Sequence, residues 1–215
     1  MRSCTLSIDD EHSMTTTKKT AGRGRPKKNN RDEVIEAVMQ NYWQDGFHSL
    51  SLSEVCRRVS VSKPAMYREF GGEDGLMAAV LSHYHELVVR RILSFIEIEQ
   101  PFVPAMEGLI IAMTTPQDHP PGCLFTEMRI LRQYLAEQAL ARLEAIEEER
   151  RLGFERWYAR ALTQKQVNPA VSPEAASRYI DAQLTLLLLD MKTGKSPADI
   201  RTSAFLAMSV LKPQR

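Results

Sequence analysis

Residues 51–70, SLSEVCRRVSVSKPAMYREF, read as two short helices joined by a tight turn. Ser51 is a good N-cap, and Glu54 three residues later is placed to reach back and complete a capping box. Leu52, Val55, Cys56 and Val59 fall three or four apart, which gives a short first helix one buried stripe. Ser60-Val61 interrupts that pattern. Ser62 then caps a second helix, and Pro64 sits early in it, where a missing N–H costs little. Ala65, Met66 and Phe70 face inward and leave Lys63, Tyr67 and Arg68 outside. Two short helices with a polar face on the second follow the helix-turn-helix plan, whose second helix enters the DNA major groove. The same spacing also fits an ordinary corner in an all-α protein.

On the N-terminal side, Asp32 to Asp45 is a helix: Val34, Ile35, Val38, Met39, Tyr42 and Trp43 repeat at three and four, and Gly46 stops it. Residues 1–31 hold eight Lys or Arg against three Asp or Glu, a net of +5, in a 215-residue chain whose total is +1. A basic tail on a mildly acidic body suggests a polyanion partner at one end. The tail lacks hydrophobic periodicity and reads as disordered. Within it, Arg23-Gly24-Arg25-Pro26 followed by Lys27 and Lys28 resembles an AT-hook, a thin, Pro-stiffened segment suited to a narrow minor groove. A generic arm that only neutralises phosphates fits the same composition.

The helix ending in Gly46-Phe47, the Ser51-Leu52 start, Val61-Ser62-Lys63 with Tyr67 and Phe70, and Leu76 with Val80-Leu81 resemble the DNA-binding domain of the TetR family of transcriptional regulators. The resemblance covers residues 32–85 and continues beyond them only as a helix layout. It implies that Lys63, Pro64, Ala65, Tyr67 and Arg68 lie at the groove. Tyr67, Ser51 and Ser62 would bond phosphates, and Lys63 or Arg68 would read guanine. Trp43 and Phe47 would pack beneath the recognition helix. Two residues depart from the family pattern: Ser60 replaces the usual turn Gly and would be left-handed, and Glu73 replaces a phosphate-binding Lys.

Downstream, the pattern predicts helices over Glu73–Glu97, Pro101–Met113, Cys123–Leu135, Leu140–Gln164 and Pro173–Thr193, and a last one through Ile200–Leu211. The fold class is therefore all-α. The organisation expected is a disordered basic arm over 1–31, a helix-turn-helix domain over 32–78, and a helical effector-binding and dimerisation domain over 79–215. Residues 173–211 are too apolar for one monomer to cover, so they are expected to pair with a second copy.

Candidate effector contacts are Met106, Ile110, Met113, Cys123, Phe125, Met128, Trp157, Tyr158 and Gln183, any of which can equally be core. Glu127 and Arg129 near Cys123 are candidate polar groups of the same pocket. A Cys opening a helix favours its thiolate, which makes Cys123 a candidate sensor of oxidants or electrophiles; burial as a small hydrophobe is the alternative. His83 and His85, two apart, cannot share a helix face, so no metal site is expected of them. No cofactor, catalytic triad, phosphate-cradling loop or membrane span is expected, and an all-α enzyme lacks any motif to support it. The three scattered cysteines and the lack of an apolar leader point to a reduced cytoplasmic protein. The function expected is a homodimeric repressor that binds a palindromic double-stranded operator and is released by a small-molecule effector.

Overall fold

A computed structural model describes residues 31–115 and 119–213; the arm residues Arg23, Arg25, Lys27 and Lys28 lie outside them. Every regular element among the described residues is helical. Helix α1 (Arg31–Asp45) buries the six apolar residues of its periodic stripe. Gly46, at φ 85°, ends it in a left-handed turn that a Cβ would strain. A turn of 3₁₀ helix over Phe47–Ser49 then leads to α2 (Leu52–Arg58) and α3 (Lys63–Phe70). Ser60 takes φ 55° in the turn between α2 and α3, the left-handed conformation that Gly would adopt without strain.

The expected long helix is interrupted. Helix α4 (Glu73–Tyr84) passes through one π turn, His85–Val89, into α5 (Arg90–Glu97). At that turn Ser82 Oγ bonds back to the Ala78 carbonyl and accepts from Arg142 Nε, while Arg142 Nη2 lies 3.0 Å from His85 Nδ1. Back-bonding of this kind bends helices, and an inserted side chain displaces the i→i−4 ladder. His85 is buried beside Glu149, whose carboxylate lies 2.7 Å from Nε2 but out of line for a hydrogen bond. His83 instead reaches Glu36 at 2.7 Å and ties α4 to α1.

Helix α6 (Phe102–Thr114) matches its expected span to within a residue at each end. The expected Cys123–Leu135 helix is α7, Leu124–Ile130 only, because Leu131 leaves helical geometry and a 3₁₀ turn follows at Arg132–Tyr134. Helix α8 (Glu137–Thr163) correspondingly starts three residues before the expected Leu140. Its cap position, Ala136, has no side chain to offer; Asp74 of α4 accepts the backbone N–H groups of Gln138 and Ala139 instead, each at 2.9 Å. Helices α9 (Pro173–Lys192) and α10 (Pro197–Met208) are capped by Ser172 and Ser196. The apolar core runs as one cluster from Val34 to Leu211, so α4 belongs as much to the body as to α1–α3.

Candidate DNA-reading surface and its attachment to the body

Ser51 Oγ accepts the Glu54 N–H and Ser62 Oγ accepts the Ala65 N–H, each at 3.3 Å, so both short helices start where their caps dictate. The reciprocal half of the capping box does not form. Arg57 and Arg58 take the Glu54 carboxylate with three hydrogen bonds, the shortest 2.6 Å, and hold its carboxyl down at about 2. Arg58 also pairs with Asp45 at the end of α1, which locks α2 to α1.

Helix α3 buries Met66 and Phe70 and turns its other side to solvent. Lys63, Pro64, Tyr67 and Arg68 are exposed, Tyr67 by 55%, and Ala65 is half-buried. Neither Lys63 nor Arg68 is paired with a carboxylate among the described residues, so both cations remain available to a polyanion. Ser51 and Ser62 stand exposed at the starts of α2 and α3, bringing all the described candidate DNA contacts to this part of the molecule. At the far end of α3, Arg31 pairs with Glu69 at 3.2 Å and lies over the Phe70 ring. Helix α1 therefore begins beside the C-terminal end of the reading helix.

Two joints attach this surface to the body. At the first, α3 runs into α4: a Cβ on Gly75 would sit 1.9 Å from the Phe70 carbonyl oxygen, so only glycine admits the approach. Asp74 beside it holds the start of α8. The second joint lies at the end of α1. There Trp43 meets the Tyr84 ring edge-on at 5.1 Å and stacks on His119 at 4.6 Å, placing it at the seam with the body rather than beneath α3 as the resemblance implied. Glu127 of α7, nearly buried and paired with Lys192 of α9, reaches within 2.9 Å of where a Gly46 Cβ would stand.

Beside this second joint is a cavity of about 240 Å³ lined by His48, Cys123, Thr126, Glu127, Ile130, Leu131, Leu188, Leu189 and Lys192. Of the nine effector contacts nominated from sequence, only Cys123 lines it. Met106, Ile110, Phe125, Met128, Trp157 and Tyr158 are core residues, and Met113 and Gln183 are half-buried elsewhere. Trp157 packs on Phe102, and the Tyr158 hydroxyl donates to the Asn168 carbonyl. Met106 and Ile110 also edge a crevice of about 10 Å³, too small for a ligand. Arg129 turns from Cys123 to Asp181, which it shares with the buried Arg150. The Leu188–Lys192 wall carries a sequence signal only once α9 is known to pack beside α7.

Residues 34–80 match the family of bacterial regulatory proteins, tetR family. The segment that carries the two capped helices is thus of the TetR DNA-binding type. The chain is 30% identical over 105 residues to the HTH-type transcriptional repressor ComR of Escherichia coli, covering 47% of this chain and 50% of ComR. The repressor BdcR of the same organism is 32% identical over 71 residues, 33% of this chain and 36% of BdcR. The chain thus matches about half the length of these curated relatives or less. Solved TetR-family folds cover far more. The regulator CifR, a cysteine mutant in complex with 26-bp double-stranded operator DNA, superposes with TM-score 0.73 over 87% of this chain and all of its own, at 18% identity. Reduced NemR of E. coli gives 0.72 over 84% of this chain and 96% of its own, at 16% identity. At such identity these likenesses carry the fold and nothing finer.

Among the described residues, no helix is long and apolar enough to cross a membrane, and no group of three or more His, Cys, Asp or Glu is placed to hold a metal.

Proposed function

We propose that the chain is a cytoplasmic, homodimeric repressor that binds a palindromic operator through α3 and is released by a small molecule held in its body. The observation that carries this reading is the capped, outward-facing α3, with Lys63, Tyr67 and Arg68 exposed, inside a segment matched by the TetR family. Lys63 and Arg68 read base edges, Tyr67 and the caps at Ser51 and Ser62 hold phosphates, Pro64 and Ala65 offer apolar contact, and the basic arm at Arg23, Arg25, Lys27 and Lys28 adds charge. The arm ends near residue 31, the reading unit near 78, and the remainder holds the effector and the dimer face. Leu186, Leu206 and Val210 stand exposed on or just beyond α9 and α10, which supports pairing through residues 173–211 in a two-fold dimer whose half-sites follow its symmetry.

The test is selection of operator DNA from a random pool, followed by titration of Lys63→Ala. Loss of affinity on the selected sequence exceeding that on random DNA is expected; equal loss would confine Lys63 to phosphates. Removing residues 1–31 should flatten the salt dependence of binding, and an unchanged slope would take the arm out of the contact set.

A second reading, release by thiol modification, is favoured by the position of Cys123, whose half-buried sulfur lines the cavity and accepts the Tyr84 hydroxyl at 3.2 Å. Under it, Cys123→Ser abolishes release of DNA by an oxidant such as diamide. Release that survives the substitution rejects it.

A further inference from the structure

We propose that the cavity at the second joint is a binding site for a small, uncharged, largely apolar molecule carrying one hydrogen-bonding oxygen. Four walls are carbon: Ile130, Leu131, Leu188 and Leu189. A volume near 240 Å³ is below the range of about 300–1,000 Å³ for drug-sized ligands, so the occupant has on the order of ten non-hydrogen atoms.

The polar groups of the lining set the charge of the ligand. Glu127 and Lys192 pair with each other across one side. A charged ligand would have to break that pair and leave Glu127, 9% exposed, without its cation, which is costly for a buried carboxylate. A neutral molecule leaves the pair intact. Thr126 supplies the handle. Its residue is 2% exposed, and its hydroxyl has no hydrogen-bond partner among the described residues, not even the helical back-bond to a carbonyl that Thr114, Thr115, Thr163, Thr185 and Thr202 all make. A buried hydroxyl left in this state is unfavourable, and a ligand oxygen at the cavity face would relieve it.

The site is built by both sides of the molecule. His48 comes from the turn that ends α1, Thr126 and Glu127 from α7, and Leu188 and Lys192 from α9. The Glu127 carboxylate lies against Gly46, so a shift of α7 by an occupant is transmitted to the end of α1 and, through the Asp45–Arg58 pair, to α2. This consequence rests on the repressor reading; binding itself does not.

The experiment uses acetophenone, neutral with one carbonyl, against benzoate, benzylamine and ethylbenzene, with binding to the full chain followed by calorimetry and ligand-observed NMR. Acetophenone is expected to bind with a dissociation constant at or below about 1 mM, roughly tenfold tighter than either charged probe and about fivefold tighter than ethylbenzene. Thr126→Val should cost about fivefold for acetophenone and nothing for ethylbenzene. Leu188→Phe, which fills the cavity, should weaken both. Equal or tighter binding of benzoate or benzylamine, an unchanged affinity in Thr126→Val with folding intact, or no acetophenone binding at millimolar concentration would overturn the proposal. Operator binding is measured separately. A chain that binds acetophenone as expected but no DNA sinks the repressor reading alone, and one that binds DNA but not acetophenone sinks only the cavity assignment.

Discussion

Helices α3 and α7 are nearly the same length, eight residues and seven, and are solved in opposite ways. Helix α3 is capped by its own Ser62, buries two residues and leaves its cations free. Helix α7 has no side-chain cap and buries Leu124, Phe125, Thr126, Glu127 and Met128 in succession. One owes its shape to local signals and keeps a surface for a partner. The other is held almost wholly by what surrounds it, and its Glu127 lies against Gly46 at the end of α1. Under the proposed function, contact with a partner and response to a ligand fall to helices of different physical character.

The contrast is open to direct attack. Phe125→Ala should produce the largest effect, about 3–5 kcal/mol of lost stability, since the ring is fully buried beneath the Arg150 guanidinium at 4.9 Å. Arg68→Ala should lie within about 0.5 kcal/mol of the parent in the same denaturant titration at fixed protein concentration. Similar values for the two would erase the distinction. On DNA the order reverses: Lys63→Ala should cost about 1–3 kcal/mol on the selected operator at constant salt, with the melting curve unchanged. Asp74→Ala should cost about 1–2 kcal/mol of stability through the two N–H groups it releases, and Ala136→Asp in that background should recover about 1 kcal/mol by supplying a local cap. No recovery would mean that Asp74 acts on something other than the start of α8.

The smallest effect belongs to Glu54. Its carboxyl is held below the ordinary 4.5, at about 2, by hydrogen bonds from Arg57 and Arg58. A depressed carboxyl contributes stability that is complete above about 4.5 and is lost as pH falls toward about 2. Glu54→Gln should remove that portion of the acid dependence and leave neutral-pH stability little changed, because the group is on the surface.

What could be read in advance followed the same division. The caps at Ser51 and Ser62, the Gly46 stop and the strained Ser60 are local chemistry, and the structure has them where the sequence marks them. The π turn at His85 is contacted by Arg142, 57 residues away, and the start of α8 is capped by Asp74, 64 residues before Gln138. No window of sequence contains both halves of either interaction. The lining of the body cavity was hidden for the same reason. The large apolar residues nominated for it fill the core, while its walls come from three separated stretches whose shared face exists only after α7, α9 and the turn at His48 pack together. The candidate DNA surface, by contrast, was legible as a contiguous segment.

The bond from Asp74 to the start of α8 also limits how such chains can be recombined. A chimera that takes α1–α4 from one such chain and the remainder from another would transplant the reading helix but remove the side chain that caps α8. Grafts that keep Asp74, or that place Asp, Ser or Thr at position 136, should fold with the recipient's body. Those that carry neither would leave the first turn of a 27-residue helix frayed at the junction where the two parents meet.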